Sequence, residues 1–354
     1  MQILKGLTKI KSKADHTGVY KVFKNYLMNQ FHTEDLSNKS FLVTGGAGFI
    51  GSHIAEYLLK NGANKVRVLD NMVNGFESNL DILRKYPAFE FIKGDIRSAD
   101  TCNEACKDIM YISHQAAIGS VPRSMKEPGY FSEVNVAGFV NMMKAAVDNN
   151  VKQVVYASSS SVYGDEPTLP KQEDRIGNAL SPYAVTKRTN ELFASVFANA
   201  YGLKLMGFRY FNIFGPRQDP DGPYAAVIPL FVKGILQRKP VFINGDGEQT
   251  RDFTFVDNAV QVNVKGMLTN NVEAFDKAYN VAVGERFSVN YLYETCKKQL
   301  NSDWEPTFRE PRAGDIRNSL ADISLAKKEL EYAPSKKFED GLIETIEYFK
   351  KVYS

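Results

Sequence analysis

Cysteine and histidine are scarce in this chain of 354 residues, which holds three of the first and four of the second. An odd, sparse set (Cys102, Cys106 and Cys296) gives no disulfide framework. This usage is typical of a reducing compartment, and we expect a cytoplasmic location. No histidine has a partner at metal-ligand spacing, so the sequence predicts no metal site.

Long apolar runs and a strong excess of one charge are also missing. No stretch reaches the roughly 20 apolar residues of a membrane span, which predicts no membrane insertion. Residues 1–13 are basic and only briefly apolar, without the features of a signal peptide. A net charge of +3, from 44 basic and 41 acidic residues, argues against a nucleic-acid partner.

Strand and helix patterns alternate regularly between Ser40 and Phe211. This rhythm predicts an α/β fold, a doubly wound parallel sheet of the Rossmann type with helices on both faces. After Asn212 the rhythm breaks into glycine- and proline-rich loops with short elements, which indicates a smaller mixed α/β C-terminal domain. We expect three parts, a helical extension (1–38, with a helix over 19–31), the alternating domain (39–212) and the mixed domain (213–354). About residues 250–284 of the last part are expected to return to the sheet.

A glycine-rich turn follows the first predicted strand directly. Gly45, Gly48 and Gly51 have the spacing of a dinucleotide-binding turn. The first glycine permits a tight turn, the second lets the backbone approach a diphosphate, and the third lets the helix pack closely on the strand. The phosphates would then meet free N–H groups at the helix N-terminus. Asp70 ends the second strand, where a carboxylate binds ribose hydroxyls and repels a 2′-phosphate, so we expect NAD rather than NADP. A simple turn residue is the alternative for Asp70, and Asp95 is expected near the adenine.

The segment from Ser181 to Lys187 has the pattern of a helix start. Ser181 can cap the helix and Pro182 can open it, which places Tyr183 and Lys187 on one face. A phenol with a pKa of about 10 must be lowered by about 3 units, or about 4 kcal/mol, to act as a base near neutrality. The lysine, the helix N-terminus and a cationic cofactor ring are the expected sources. An ordinary amphipathic helix is the alternative for this segment alone.

Combined with His114–Ala117 and Ser158–Ser160, these motifs resemble the extended short-chain dehydrogenase/reductases, and more closely the nucleotide-sugar 4-epimerases. The segments 119–124, 209–215, 217–222, 224–229 and 319–322 resemble a bacterial surface-polysaccharide subgroup, which makes O-antigen precursors from UDP-N-acetylhexosamines. The resemblance implies Tyr183 as the base, Lys187 as its electrostatic partner and ribose ligand, and Ser159 as a hydrogen-bond partner of the sugar 4-oxygen.

The same resemblance implies two sets of binding residues. The NAD set is Gly45, Gly48, Phe49, Ile50, Gly51, Asp70, Asn71, Asp95, Ile96, Gln115, Ala116, Ala117, Asn135, Tyr183, Lys187 and Tyr210. The UDP-sugar set is Gly119, Ser159, Ser160, Tyr183, Asn212, Gln218, Ala226, Val227, Arg251, Arg312, Asp315 and Ser319. In the second set, the two arginines are expected at the diphosphate, where a guanidinium binds in bidentate fashion. The serine at 319 is expected to leave room for a 2-acetamido group.

The implied reaction is inversion of C4 in UDP-GlcNAc, giving UDP-GalNAc, or in its 6-uronate, through a 4-keto sugar. Arg123 and Arg317 are candidate partners of a 6-carboxylate or structural residues. A UDP-glucose or UDP-glucuronate 4-epimerase is the nearest alternative, and a non-catalytic NAD sensor is another. Related dehydratases and decarboxylases need an acid just before Val162-Tyr-Gly164, where this chain has serines.

The resemblance also implies a homodimer through a four-helix bundle, with residues 131–149 and 183–201 as the matching helices. Phe193, Val196, Phe197 and Ala200 form an apolar stripe at helical spacing on the second of them. The stripe could equally face the subunit's own core.

Overall fold

The computed structural model describes residues 30–221, 226–311 and 317–353. The helix expected over 19–31 lies, except for its last two residues, outside this range. The contacts divide the chain after Glu34, and all elements described here belong to the unit from Asp35 onward. Its strands are β1 (Ser40–Thr44), β2 (Lys65–Asp70), β3 (Phe89–Lys93), β4 (Tyr111–His114), β5 (Gln153–Ser159), β6 (Leu205–Tyr210), β7 (Ile213–Phe214), β8 (Phe242–Asn244), β9 (Thr250–Arg251), β10 (Thr254–Phe255), β11 (Lys277–Val281), β12 (Phe287–Ser288) and β13 (Thr307–Arg309).

The helices alternate with these strands in the first half and cluster together in the second. They are α1 (Phe49–Lys60), α2 (Glu77–Leu83), α3 (Ala99–Cys106), α4 (Val121–Lys126), α5 (Pro128–Ser132), α6 (Gly138–Asp148), α7 (Pro182–Tyr201), α8 (Val227–Leu236), α9 (Val256–Leu268), α10 (Val289–Gln299), α11 (Ser324–Leu330) and α12 (Phe338–Tyr353). Each connecting helix returns the chain to the edge of the sheet where the previous strand began, so consecutive strands run in the same direction and the sheet is parallel.

Seven parallel strands form the central sheet in the order β3-β2-β1-β4-β5-β6-β11. The order reverses between β1 and β4, and ligands bind outside the carboxyl ends of the strands at such a switch point. Helices α3, α6 and α7 pack together on one side of the sheet, while α1, α2 and α9 pack on the other. The sheet confirms the predicted doubly wound fold, and β11 places residues 277–281 at its edge.

Two apolar cores stand out among the described residues, in addition to the buried side chains of α1 and α9 on the other face of the sheet. The first joins α3, α6 and α7 to the sheet through residues such as Phe139, Met142 and Phe197. The second lies among α8, α10 and α12, with Phe231, Tyr293 and Phe338 at its centre. Short strand pairs (β7 with β10, β8 with β13, β9 with β12) lie outside the seven-stranded sheet.

The long helix expected over 131–149 is interrupted in the structure. A π-helical turn, Glu133–Ala137, joins α5 to α6. Within this turn the Asn135 side chain is buried and bonds both backbone groups of Ile118, the N–H at 2.8 Å and the carbonyl at 3.1 Å. Such turns are frequent at functional sites, and this one supports a loop that borders the main cavity. In the part of the chain that is described, no helix is long and apolar enough to cross a membrane.

Candidate active site

The turn after β1 is a tight cradle that only glycine fits. Gly45 has φ +67°, and a Cβ added there would lie 2.8 Å from the Ala116 nitrogen. A Cβ on Gly51 would overlap the Gly45 carbonyl oxygen. Helix α1 then begins at Phe49 with Gly48 as its N-cap and no side chain capping it. Its first N–H groups are therefore available to an anion at the mouth of the cavity.

Asp70 lies at the carboxyl end of β2, 8% exposed, with its side chain at the cavity wall. Its carboxylate accepts hydrogen bonds from the backbone N–H groups of Ala47, at 3.0 Å, and Met72, at 2.8 Å. Burial raises the pKa of Asp70, which these two bonds partly offset. A fixed carboxylate beside a glycine cradle and an open helix N-terminus fits the ribose and diphosphate of NAD.

Two members of the expected NAD set lie behind the cavity wall rather than on it. Asp95 accepts a hydrogen bond from Asn71 Nδ2 at 3.0 Å and pairs with Arg97, which lowers its pKa to about 2. Asn135 supports the loop at Ile118, as described above. The remaining fourteen residues of the set line the cavity.

Tyr183, Lys187 and Ser159 come together at the carboxyl end of the central strands. Helix α7 begins at Pro182, and the Ser181 hydroxyl accepts a hydrogen bond from the Ala184 N–H at 3.2 Å, which confirms the predicted helix start. Lys187 is 3% exposed, and its Nζ donates to the Ala157 carbonyl at 2.8 Å. That nitrogen lies 6.0 Å from the centre of the Tyr183 ring. All three side chains line the cavity that also holds the glycine turn.

Burial dominates the electrostatics of this trio. Burial raises the pKa of Tyr183 above its ordinary value, and the hydrogen bond with Ser159 only partly opposes this rise. Burial also lowers the pKa of Lys187 to about 8, against the charge of Glu191. The expected lowering of the Tyr183 pKa also depends on the cationic ring of bound NAD, so it stays a prediction for the complete site; in the protein groups alone, burial outweighs the Ser159 hydrogen bond.

A buried ion pair that the sequence analysis missed lies directly behind the trio. The Arg209 guanidinium binds the Glu191 carboxylate with two bonds of 2.9 Å, and both residues are buried. The Ser158 hydroxyl donates to Glu191 at 2.7 Å, beside Ser159 in the same strand end. Glu191 follows Lys187 by four residues on α7, so its position on the lysine's helix face was available from the sequence.

The expected UDP-sugar residues are only partly brought together. Gly119, Ser159, Tyr183, Asn212 and Gln218 line the cavity. Five others lie outside its lining, namely Ser160, Ala226, Val227, Arg251 and Ser319. Arg312 and Asp315 lie outside the described residues.

Arg251 and Ser319 nevertheless lie on adjoining segments. The Ser319 N–H donates to the Thr250 carbonyl at 3.1 Å, next to Arg251 in β9. Ala226 is the N-cap of α8 and Val227 is its first residue.

Arg217 is a cavity residue that the sequence analysis did not assign. Its φ is +66°, its guanidinium forms an ion pair with Glu56, and it donates to the Ser52 hydroxyl at 3.3 Å. His53 on α1 bonds the Pro216 carbonyl at 3.0 Å beside it. The loop that carries Gln218 is thus attached to the helix of the glycine turn. The cavity spans these groups with a volume of about 510 Å³.

Residues 41–282 match the NAD dependent epimerase/dehydratase family. The chain belongs to this family. The match confirms the resemblance found in the sequence and the expected cofactor, NAD.

Individual relatives cover nearly the whole chain. It is 36% identical over 313 residues to a UDP-glucose 4-epimerase of Mycolicibacterium smegmatis, covering 87% of this chain and 98% of that protein. It is 39% identical, with a TM-score of 0.84, to the structure of a UDP-N-acetylglucosamine 4-epimerase from Methanobrevibacter ruminantium in complex with UDP-N-acetylmuramic acid, covering 89% and 99% of the two chains. A UDP-glucuronic acid 4-epimerase of Bacillus cereus, solved with UDP-glucuronic acid and NAD, is 32% identical with a TM-score of 0.83, over 89% and 100%.

Proposed function

We propose that this protein inverts C4 of a UDP-N-acetylhexosamine and interconverts UDP-GlcNAc and UDP-GalNAc. The relatives support nucleotide-sugar 4-epimerase activity as the general reaction. The observation that carries the proposal is the convergence of Tyr183, Lys187 and Ser159 in the cavity that contains the glycine turn. A general base, a cation and a hydroxyl donor next to a dinucleotide site are the groups needed to oxidise and reduce a secondary alcohol.

The chain's own residues bind both ligands and move one proton. The N–H groups at the start of α1 hold the cofactor diphosphate, and Asp70 holds the adenosine ribose. When bound, NAD would supply the hydride acceptor and donor for oxidation and reduction at sugar C4. Inversion requires the 4-keto sugar to turn its other face toward that donor before it is reduced. The Tyr183 oxygen removes the proton from the 4-hydroxyl and later gives it back, while Ser159 donates a hydrogen bond to the 4-oxygen. Lys187 holds the ribose hydroxyls and keeps positive charge beside the phenol.

Room around the sugar supports an N-acetylated substrate. A Cβ added at Gly119, on the cavity wall, would meet no heavy atom within 4 Å. The two guanidiniums considered for a 6-carboxylate already bind acids, Arg123 with Glu127 at 3.0 Å and Arg317 with Asp246 at 2.8 Å. We therefore favour a substrate with a 6-hydroxyl. We also propose that residues 213–354 supply most of the contacts to UDP.

A comparison of three substrates tests this choice. UDP-GlcNAc, its 6-uronate and UDP-glucose are offered separately, and the kcat/KM values are compared. We expect the highest value for UDP-GlcNAc. We also expect Gly119→Val to reduce that value about 10-fold or more, and to reduce the value for UDP-glucose less, because the wall then occupies the acetamido space. A preference for UDP-glucose in the unaltered protein would contradict the N-acetyl assignment.

We propose in addition that two copies pair through α7 and the α5–α6 stretch. The predicted stripe on α7 is divided in the structure, because Phe197 is buried in the first core whereas Val196 is 57% exposed. Val185 and Leu192 are 51% and 55% exposed and lie on the same side of the helix as Val196. Three large apolar side chains in one exposed row support a helix-packing surface.

Sedimentation velocity tests the pairing. Val196→Glu should shift the protein from dimer to monomer, because a charge would be buried in the apolar contact. Val272→Glu is the matched control, since Val272 is 72% exposed and lies far along the chain in a separate short helix. A protein that sediments as a monomer before any substitution would contradict the proposal.

A further inference from the structure

Asp252 is a fully buried carboxylate, 0% exposed, in the two-residue link between β9 and β10. Its oxygens accept three backbone hydrogen bonds, from Val283 at 3.1 Å, Gly284 at 3.1 Å and Ala321 at 3.4 Å. Burial raises the pKa of Asp252 to about 7 although these bonds oppose the rise. Burying a carboxylate costs free energy that an apolar side chain in the same place would not cost. A buried carboxylate with this many backbone partners therefore indicates a specific structural or functional role.

The three donors belong to two segments that are distant in sequence. Val283 and Gly284 follow β11, the edge strand of the main sheet, at the turn toward β12. Ala321 lies two residues after Ser319, in the segment that runs along β9. One side chain therefore fastens the edge of the sheet to the segment that carries Ser319.

The backbone around Asp252 extends the same connection to the cavity. Its carbonyl accepts a hydrogen bond from the Asn212 Nδ2 at 3.2 Å, and Asn212 lines the cavity. Arg251 precedes it directly, and the Ser319 N–H bonds Thr250 on the other side of that arginine. Asn212, Arg251 and Ser319 are three of the expected UDP-sugar residues and come from separate segments. Arg251 belongs to the 250–252 segment, and Asn212 and Ser319 each donate a hydrogen bond to a carbonyl of that segment.

We propose that Asp252 is the positioning residue of the UDP-binding region, acting through Asn212, Arg251 and Ser319 without touching the ligand. The inference rests on the proposed function, because it presumes that these three residues face UDP. Binding groups that come from separate segments must be held in place beforehand, or their ordering is subtracted from the binding free energy. The cofactor end of the cavity has its own supports at Asp70 and the glycine turn. Asp252 should therefore affect UDP much more than NAD.

The test compares UDP binding in the full-length protein and two variants by calorimetry. Asp252→Asn keeps the shape of the side chain but turns one acceptor into an amide donor that faces backbone donors. We expect it to weaken UDP binding about tenfold or more, since at least one of the three bonds from the backbone donors is lost. We also expect a raised KM for the UDP-sugar, with NAD content and kcat at saturation much less changed. A purely structural role would lower all of these together.

Asp322→Asn is the matched control. Asp322 is the next residue after Ala321 and also accepts a backbone N–H, from Ser324 at 2.8 Å, but besides Ser324 its carboxylate bonds only the Gln172 side chain, at 3.4 Å, among the described residues. It should bind UDP within about twofold of the unaltered protein. UDP binding by Asp252→Asn that equals that of the control would overturn the inference. Failure of the unaltered protein to bind UDP or to epimerise any UDP-sugar would instead overturn the proposed function.

A second measurement needs no substitution and decides the matter if Asp252→Asn does not fold. Hydrogen exchange is followed in the unaltered protein with and without UDP, on peptides that contain Val283, Gly284 and Ala321. Coupling between two sites is reciprocal, so UDP should slow exchange of these amides although Val283 and Gly284 do not line the cavity. Unchanged exchange at 283–284 in the presence of saturating UDP would contradict a positioning role.

Discussion

The two ends of the cavity are built in different ways. At the cofactor end, the glycine turn from Gly45 to Gly51 and Asp70 lie within one βαβ unit, where steric limits and a helix N-terminus fix the geometry. At the sugar end, Ser159, Tyr183 and Asn212 come from three different elements. Buried polar groups support them from behind, namely Glu191 with Arg209 and Asp252. Local sequence thus defines the cofactor end, and long-range packing defines the sugar end.

The largest effect should come from the sugar end, at the phenol itself. Tyr183→Phe removes the general base and should lower kcat by about 10²–10⁴-fold. Because the ring remains, NAD content and UDP affinity should stay near those of the unaltered protein. Tyr201→Phe, at the exposed end of the same helix, is the control and should retain full kcat. A Tyr183→Phe variant with undiminished kcat would remove the phenol from the mechanism.

The next largest effect should come from the buried Glu191–Arg209 ion pair behind the sugar end, and it should appear in the free energy of unfolding. Glu191→Gln leaves the Arg209 guanidinium buried without a carboxylate and should lower the free energy of unfolding by about 3–5 kcal/mol. Glu90→Gln breaks a pair with Arg67 in which the acid is 42% exposed, and it should cost at most about 1 kcal/mol. Denaturant unfolding measures both. Equal losses in the two variants would show that burial does not distinguish these pairs.

At the cofactor end, one methyl group added at Gly51 should reduce both stability and NAD binding. Gly51→Ala forces a Cβ onto the Gly45 carbonyl and should cost about 1–3 kcal/mol of stability, with loss of copurifying NAD. Gly129→Ala is the control, because an added Cβ there meets no heavy atom within 4 Å. Unfolding curves and the NAD content of the purified variants provide the readout. Normal NAD content in Gly51→Ala would mean that the cradle is looser than its geometry indicates.

These two ends also differ in how well the sequence predicted them. The glycine spacing, Asp70 and the Ser181 cap depend on neighbours within a few residues, and the structure places them as the local rules require. The Tyr183 pKa depends on burial by the whole fold, which raises it and which no local pattern in the sequence reveals. A short helix such as α2 went unnoticed, since seven residues carry little periodic signal. Arg217 and Asp252 needed the tertiary contacts to become visible.

The smallest effect concerns the contact between the two ends. His53 on α1 donates a hydrogen bond to the Pro216 carbonyl, and the ring stays neutral near pH 7 because burial and the nearby Arg217 lower its pKa to about 4. In the unfolded chain the pKa returns to about 6.5, so the unfolded state takes up more protons between pH 6.5 and 4. Stability should therefore fall as the pH is lowered through this window, and less steeply in His53→Gln. Identical slopes of unfolding free energy against pH would contradict this assignment.

The most direct test of the account follows the hydrogen at C4. UDP-GlcNAc deuterated at that carbon is incubated with the purified protein in ordinary water, and the products are examined by NMR. The account predicts UDP-GalNAc that keeps the deuterium at C4, because the hydride that leaves C4 is the one that returns to it and does not exchange with water. UDP-GalNAc with hydrogen at C4, or no UDP-GalNAc at all from folded, NAD-containing protein, would contradict it.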